Sequence, residues 1–196
     1  LSLQPQLAKS WQINENGTVF TFQIRNDVYF HEHAAFSSDE DRLMTIEDVL
    51  YSFEKACKPD QEGEATEAYL TLLSGQVKGA DDFFQGKTKS IEGIQINKAK
   101  NEFVIELINP DQSYINKLSN LTVSIVSKKV EEYKGGEFDV VGTGPFYFSK
   151  EANTKQDEYV LLKNQDYCML DDKGCALPYL DSLILHVQPK KLEQLD

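Results

Sequence analysis

Apolar and polar residues alternate along residues 18–29, and this pattern constrains the fold more than any other feature of the chain. A β-strand points successive side chains to opposite faces, so alternation with a period of two predicts a strand. The preceding segment Asn-Glu-Asn-Gly at 14–17 favours a tight turn, and Trp11 and Ile13 lie before it. The sequence therefore predicts a β-hairpin in which Trp11 and Ile13 belong to the partner strand.

A second pattern predicts an amphipathic helix over residues 45–57. Thr45 is a suitable N-cap, and Glu47 and Asp48 place carboxylates in the first turn, where the helix dipole favours negative charge. The apolar residues recur at intervals of three and four, at Ile46, Val49, Leu50, Phe53 and Cys57. Pro59 ends the pattern. This helix is expected to pack on the hairpin.

The rest of the chain mixes hairpins and helices without a regular βαβ alternation, which favours an α+β fold. Helices are predicted over residues 65–73, 80–84, 113–118 and 128–133, with a β-branched run over 121–126. A second hairpin is predicted from 91–96 and 102–108, and three further strands over 146–151, 158–163 and 182–188.

Several motifs follow one another in a characteristic order. The second half contains VVGTGPFYF at 140–148, NQDY at 164–167 and LPYLD at 177–181. The first half contains LAKSW at 7–11, GTVFTFQIR at 17–25, VYFH at 28–31 and MTIEDVLYSFE at 44–54. Together they resemble, across nearly all 196 residues, the peptide- and nickel-binding class (family 5) of extracytoplasmic solute-binding proteins of ABC importers. Members usually have a short turn after the position of His31, where this chain has a longer acidic segment at 33–42.

The resemblance implies part of a two-lobe fold of the periplasmic binding protein type II kind. Residues 1–139 would form the accessory subdomain of the first lobe, and residues 140–196 would supply strands of that lobe's main sheet. The second lobe is expected to lie outside this chain, because such receptors are more than twice its length. The ends of the chain are accordingly expected to be fragment boundaries, with residues 195–196 in the first turn of a helix.

The resemblance also implies a function, namely capture of a small ligand, foremost an oligopeptide, for delivery to an ABC transporter permease. The protein is expected to be a monomer in the periplasm or on the outer face of the cytoplasmic membrane, with no cofactor and with membrane contact only through an N-terminal lipid anchor outside this chain. Nickel chelates, haem and oligosaccharides are further ligands of the family. The alternatives are a ligand receptor for a signalling partner and a metal-dependent hydrolase centred on His31 and His33.

Three ligand-binding residues follow from the resemblance. Tyr69 corresponds in position to an aromatic residue that lies against the bound peptide in relatives, although a tyrosine that packs its helix is the alternative. Gly142 and Thr143 belong to a crossover segment near the base of the ligand cleft. The glycines of this segment do not indicate a phosphate loop, since no Lys-Ser/Thr pair or helix follows them.

Composition and missing motifs argue against other functions. A formal net charge of -12 disfavours nucleic acid as a partner, because phosphate binding needs a basic surface. The chain contains no G-x-S-x-G motif, and its paired acidic residues are expected on solvated surface, so no enzyme activity is predicted. His31 and His33 with Glu32 are too few ligands for a closed metal site.

The chain has three cysteines. Cys168 and Cys175 flank a short segment whose Asp-Lys-Gly end favours a turn. A local disulfide between them is one expectation for an oxidising compartment, and two unpaired thiols in a loop are the other. Cys57 lies on the apolar side of the predicted helix.

Overall fold

The computed structural model describes residues 3–119, 122–135, 140–153 and 157–187. Within these ranges the chain forms two antiparallel sheets and several short helices, as the α+β prediction requires. The strands are β1 (Ala8–Ile13), β2 (Val19–Ile24), β3 (Ile94–Asn97), β4 (Glu102–Glu106), β5 (Phe146–Phe148), β6 (Glu158–Lys163) and β7 (Ser182–His186). The helices are α1 (Ile46–Ala56), α2 (Ala80–Phe84), α3 (Tyr114–Lys117) and α4 (Lys128–Glu131), with a 3-10 turn at Glu40–Arg42 and a π-helical segment at Tyr69–Leu73.

The first sheet has the strand order β1-β2-β4-β3 and contains both predicted hairpins. In the first hairpin, the Asn14 side chain accepts hydrogen bonds from the backbone N–H groups of Thr18 and Val19, which closes the turn. In the second, Asn101 adopts a positive φ of 54° and donates from its side chain to the Ile24 carbonyl. This turn residue therefore also connects the two hairpins. Strand β2 ends at Ile24, earlier than the predicted 29, because the chain bends at residues 26–27.

Helix α1 covers the first sheet as predicted. A capping box fixes its start, in which Asp48 N–H donates to Thr45 Oγ1 and Thr45 N–H donates to the Asp48 carboxylate. The buried Phe53 ring lies 4.9 Å, between centroids, from Phe103 of β4, which is paired directly with Phe22 of β2. The apolar face of the helix and that of the hairpin thus form one core.

The segments after α1 extend this core with short elements. The helix predicted over 65–73 has only one α-helical stretch, at 67–68, before it widens into the π-helical segment. Gly79 precedes α2 with φ 73°, and a Cβ there would lie 2.8 Å from the Cβ of Glu92, so the close approach requires glycine. Tyr114 of α3 is fully buried and donates its hydroxyl hydrogen to the Leu72 carbonyl. The β-branched run at 121–126 is not a strand in its described part, residues 122–126.

The second sheet has the order β5-β6-β7. Its three strands lie where the sequence predicts them, although β5 is shorter than predicted and residue 188 lies outside the described residues, as do 195–196. Among the described residues, all the buried hydrophobic side chains fall between Phe20 and Tyr114, so the apolar core belongs to the first sheet and its helices. No helix in the described part of the chain has the length and apolar character that a membrane crossing requires.

Removal of the Phe53 ring tests this core. Phe53→Ala should lower the free energy of unfolding by about 3 to 5 kcal/mol, because the change leaves a cavity between α1 and the sheet. Urea unfolding followed by circular dichroism measures the loss. Phe148→Ala is the matched control, since Phe148 is 40% exposed and its truncation should cost much less. A loss below about 1 kcal/mol for Phe53→Ala would contradict the observed packing.

Candidate functional site at the junction of the two sheets

The crossover segment at residues 141–145 leads into β5 and is held by the side chain of His31. The His31 backbone N–H donates to the Gly142 carbonyl at 2.8 Å. The imidazole contacts the same segment twice, because Gly142 N–H lies 3.3 Å from Nδ1 and the Gly144 carbonyl lies 3.0 Å from Nε2. A nitrogen that receives an N–H must be the unprotonated one, so Nδ1 accepts and Nε2–H donates. This geometry requires the neutral imidazole.

The surroundings of His31 favour the same neutral form. The side chain is buried, and this burial lowers the pKa of the imidazole below its ordinary value of 6.5. The hydrogen bond to the Gly144 carbonyl opposes the shift, and the nearby positive charge of Arg42 adds to it. The ring also lies 5.8 Å, between centroids, from Tyr147 of β5.

Asn164 holds the crossover from the opposite side. It follows β6 directly and is 5% exposed. Its side-chain amide donates to the Gly144 carbonyl at 2.9 Å, and its backbone N–H donates to the Pro145 carbonyl at 2.8 Å. The Gly144 carbonyl therefore accepts hydrogen bonds from His31 and Asn164 together. The NQDY motif thus contributes a structural contact that fixes the crossover.

Arg42 connects the acidic segment 33–42 to the second half of the chain. Its guanidinium group is almost fully buried and donates to the Phe30 carbonyl, to Asp39 and, at 2.7 Å, to Asp166. A buried cation is costly unless it is paired and hydrogen-bonded, and these three acceptors satisfy that requirement. The salt bridge to Asp166 spans 124 positions of the sequence and joins the two regions that the sheets occupy.

The three predicted ligand-binding residues lie in different environments. Tyr69 is buried, stacks on Phe84 at a centroid distance of 4.0 Å, and donates its hydroxyl hydrogen to Asp81 at 2.6 Å. These contacts match the helix-packing alternative. The backbone groups of Gly142 are occupied by His31, whereas the neighbouring Thr143 makes no hydrogen bond within the described part of the chain. The ligand-binding role of all three residues stays a prediction.

The residues of the metal hypothesis have separate structural contacts. Both ring nitrogens of His31 are engaged by the crossover, while His33 accepts a hydrogen bond from Ala35 N–H and lies edge-on to Tyr133. In the described ranges there is no group of three His, Cys, Asp or Glu side chains arranged to hold a metal ion. Sequence reasoning missed the hydrogen bonds between the His31 imidazole and the crossover, which we call the His31 clamp. No local signal could have revealed contacts that span more than 100 positions of the sequence.

The cysteines are free thiols in the structure. Cys57 is buried, with a pKa raised to about 12 by burial, so its thiol is not a nucleophile at neutral pH. Cys168 and Cys175 lie on the two sides of a turn in which Asp171 and Cys175 share a backbone hydrogen bond. Their pairing stays a prediction.

Comparisons with known proteins agree on one family. The sequence model described as "Bacterial extracellular solute-binding proteins, family 5 Middle" matches residues 2–195. Among curated proteins, a di/tripeptide-binding protein of Pseudomonas aeruginosa is 28% identical over 190 residues, which is 93% of this chain and 32% of the relative. The heme-binding protein A of Haemophilus influenzae is 27% identical over 173 residues, covering 83% of this chain and 29% of the relative.

Solved structures give the same result. A periplasmic binding protein of Helicobacter pylori in complex with the peptide STSA has a TM-score of 0.68 and 27% identity, and the match covers 97% of this chain and 35% of that one. A periplasmic oligopeptide-binding protein of Borrelia burgdorferi has a TM-score of 0.70 and 26% identity, with 93% and 33% covered. The chain therefore spans about a third of the length of the proteins it matches.

The His31 clamp predicts a pH dependence of stability. In the unfolded chain the imidazole titrates near its ordinary pKa of about 6.5, whereas burial lowers the pKa in the folded state. The hydrogen bonds of the neutral imidazole therefore contribute fully to the free energy of unfolding above about pH 6.5. This free energy falls as the pH drops from there towards the lowered pKa of His31 in the folded state. The free energy of unfolding decreases by about 1.4 kcal/mol for each pH unit by which folding lowers the pKa of His31.

Urea unfolding of the wild type and of His31→Gln between pH 5 and pH 8 measures this effect. The variant should lose the part of the pH dependence that belongs to His31, and its stability should approach that of the wild type as the pH falls. His33→Gln is the matched control, because the His33 ring contacts Ala35 N–H and the Tyr133 ring. Parallel pH profiles for the wild type and His31→Gln would exclude the clamp.

The disulfide is tested by counting thiols. If Cys168 and Cys175 pair under oxidising conditions, titration of denatured, unreduced protein should find one free thiol, that of Cys57. Closing this short loop should then add about 2 to 3 kcal/mol to the free energy of unfolding. Cys168→Ser and Cys175→Ser should each leave two free thiols in place of one. Three free thiols in the oxidised wild type would rule out the bond.

Proposed function

The chain belongs to family 5 of the bacterial extracellular solute-binding proteins, and from this membership we propose that it is the N-terminal part of a receptor of an ABC importer. The receptor captures a small ligand outside the cytoplasmic membrane and delivers it to the transporter permease. The match of the family model to residues 2–195 is the observation that carries this proposal.

An oligopeptide is the ligand that the relatives favour. The H. pylori structure contains a bound peptide, and the P. aeruginosa relative is a di/tripeptide-binding protein. A peptide offers a regular series of backbone donors and acceptors, which a receptor can bind as it would bind an added strand. The similarity to heme-binding protein A makes haem the second candidate ligand.

The geometry of the junction is consistent with a site of this kind. His31 and Asn164 fix the crossover, so Gly142 is expected to position the segment rather than to bind the ligand. Thr143 lies between Gly142 and Gly144, and its own polar groups are available to a ligand. We therefore assign direct ligand contact to Thr143 ahead of Gly142, and to Tyr69 only if its hydrogen bond to Asp81 opens.

The domain arrangement is part of the same proposal. Residues 1–139, which contain the four-stranded sheet, form the accessory subdomain of the first lobe, and residues 140–196 contribute strands to that lobe's main sheet. The segments at 136–139, 154–156 and 188–196 lie outside the described residues. The second lobe closes over the ligand from the other side.

A catalytic role has less support. The matched relatives are substrate-binding proteins. The hydrolase hypothesis needs a free nitrogen on His31, and both nitrogens are engaged by the backbone of the crossover. We therefore propose a receptor without enzyme activity.

Comparison of the isolated chain with the full-length receptor tests the proposal. Residues 1–196 should bind peptides no more tightly than about millimolar, while the full-length protein should bind its own ligand at micromolar affinity or better. One lobe supplies only part of the contacts, and association first costs several kcal/mol of translational and rotational freedom. Isothermal titration calorimetry against a peptide mixture, with haem in a parallel titration, measures the affinities of residues 1–196 and of the full-length protein.

Two outcomes would contradict this proposal. Equal affinity of the two proteins would place the whole site within residues 1–196. Absence of binding by the full-length protein to any peptide, together with tight binding of haem, would replace the peptide by haem as the ligand.

A further inference from the structure

Thr143 carries unpaired polar groups between two residues that are firmly held. Its backbone N–H, its carbonyl and its hydroxyl make no hydrogen bond within the described ranges of the chain, and the residue is half-buried. On either side, Gly142 is bound by His31, and Gly144 is bound by His31 and Asn164. Unpaired donors and acceptors that are partly withdrawn from water are costly, so this position suits a partner that supplies the missing hydrogen bonds.

The two glycines leave open space beside Thr143. Neither glycine has a positive φ. Among the described residues, the nearest atoms to a Cβ on Gly142 or Gly144 would be His31 Cε1 at 3.9 Å and the Phe146 carbonyl oxygen at 3.8 Å, which are ordinary contacts. Neither backbone conformation nor close packing in this part of the chain therefore requires glycine. Glycine also serves where another backbone approaches closely, and an incoming peptide is such a backbone.

The contacts of His31 determine the direction of the Thr143 N–H. The Gly142 carbonyl and the Thr143 N–H belong to one planar trans peptide unit, in which they point to opposite sides. The His31 backbone N–H holds this carbonyl at 2.8 Å, so the Thr143 N–H points away from the His31 backbone. A Gly-Thr-Gly segment without such contacts would have unusual backbone freedom. The clamp therefore orders the binding groups in advance, which lowers the entropic cost of binding.

The His31 clamp holds Gly142 only while the imidazole is neutral. Nδ1 accepts the Gly142 N–H at 3.3 Å, and Nε2–H donates to the Gly144 carbonyl at 3.0 Å. A proton added at Nδ1 makes two N–H donors face each other, so the contact with Gly142 must break, whereas the contact with Gly144 can persist. Protonation therefore frees one end of the segment that carries Thr143.

The groups around the imidazole oppose its protonation. The cation that acts on the ring and the acidic groups around that cation are Arg42, Asp39, Asp166 and Glu32. On the side of β5 the Tyr147 phenol lies 5.8 Å away between ring centroids, and after β6 Asn164 contributes an uncharged amide. Burial of the ring, followed by the charge of Arg42, lowers the pKa of His31 from 6.5. Proton binding in the folded protein is thus confined to acidic pH.

We propose that His31 is a positioning residue for ligand binding, whose neutral imidazole holds Thr143 in the orientation that binds a peptide group and whose protonation releases Thr143 and weakens binding. The Thr143 N–H and carbonyl pair with one residue of an extended peptide, as directly paired residues of two antiparallel strands do. The inference deepens the proposed function and rests on it, since Thr143 must contact the ligand. It makes the affinity for peptide depend on pH through one side chain.

Calorimetry of the full-length receptor between pH 5 and pH 8 tests this coupling. The probe is a mixture of di- to tetrapeptides without ionisable side chains, including STSA, the peptide of the H. pylori structure. The Kd of the wild type should be constant near pH 8. Below the pKa of His31 it should rise towards about tenfold for each pH unit, because only the neutral form is competent to bind.

Three variants show whether His31 is the group that titrates. Glutamine offers one acceptor and one donor but does not titrate, so His31→Gln should bind within about tenfold of the wild type at pH 8 and lose the rise in Kd towards pH 5. His31→Ala lacks both contacts and should bind more weakly than His31→Gln at pH 8. His33→Gln is the matched control and should keep the pH profile of the wild type. A purely structural His31 would lower the Tm in acid and leave the Kd of the folded receptor unchanged.

Hydrogen exchange follows the clamp without a ligand. In the wild-type full-length receptor, the Gly142 amide should be protected at pH 7.5 and should lose most of this protection at pH 5, after correction for the intrinsic pH dependence of exchange. Amides of β2 should stay protected at both pH values. In His31→Gln, the protection of Gly142 should be the same at both.

The outcomes separate this inference from the proposed function. Peptide binding at pH 8 with a Kd that stays constant down to pH 5 would overturn the role of His31 and leave the receptor function intact. An equal rise in Kd for the wild type and His31→Gln, or loss of the rise in His33→Gln, would show that another group titrates. Failure of the full-length receptor to bind the peptide mixture at pH 8 would contradict peptide capture itself, and this inference with it.

Discussion

The contact between α1 and the first sheet is the interaction on which the junction depends. Phe53 of the helix packs against Phe103, and this contact fixes the position of the helix on the sheet. The residues directly before the helix, at 42–44, are hydrogen-bonded to residues 28–30, with Met44 N–H donating to the Val28 carbonyl and Phe30 N–H donating to the Arg42 carbonyl. His31 follows this paired segment, so the core sets the position from which the imidazole reaches the crossover.

The junction is stabilised by different forces from the core. Hydrophobic burial holds the first sheet, whereas hydrogen bonds from His31 and Asn164 and the Arg42–Asp166 salt bridge hold the crossover and β6. Buried polar contacts depend strongly on geometry, because a donor or acceptor that loses its partner away from water costs more than the bond itself contributes. The junction therefore specifies one arrangement of the crossover, and it responds to pH in a way that the apolar core does not.

The sequence was sufficient for those parts of the fold that local patterns determine. Both hairpins, the capped helix α1 and the three late strands follow from periodicities of two and of three to four residues and from turn residues such as those at 14–17. It was insufficient wherever a distant residue decides the outcome. The Tyr69 hydroxyl is hydrogen-bonded to Asp81, which lies further along the chain. The His31 imidazole is hydrogen-bonded to a segment more than 110 positions away, and Arg42 is paired with Asp166 at a still greater separation. The pair His31 and His33 left a metal-dependent hydrolase as an alternative, because a sequence shows residue types without their partners.

The distribution of buried residues along the chain gives the first sheet a further property. Its core residues fall between Phe20 and Tyr114, so they form a continuous stretch of sequence that can collapse without waiting for later segments. Contacts between nearby residues form at lower entropic cost than contacts that close long loops. We therefore expect the four-stranded sheet to form first during synthesis and to present residues 28–31 and 42–44 as a template for the crossover. The β5-β6-β7 sheet then attaches to this template through the hydrogen bonds of His31 and Asn164 and the salt bridge between Arg42 and Asp166.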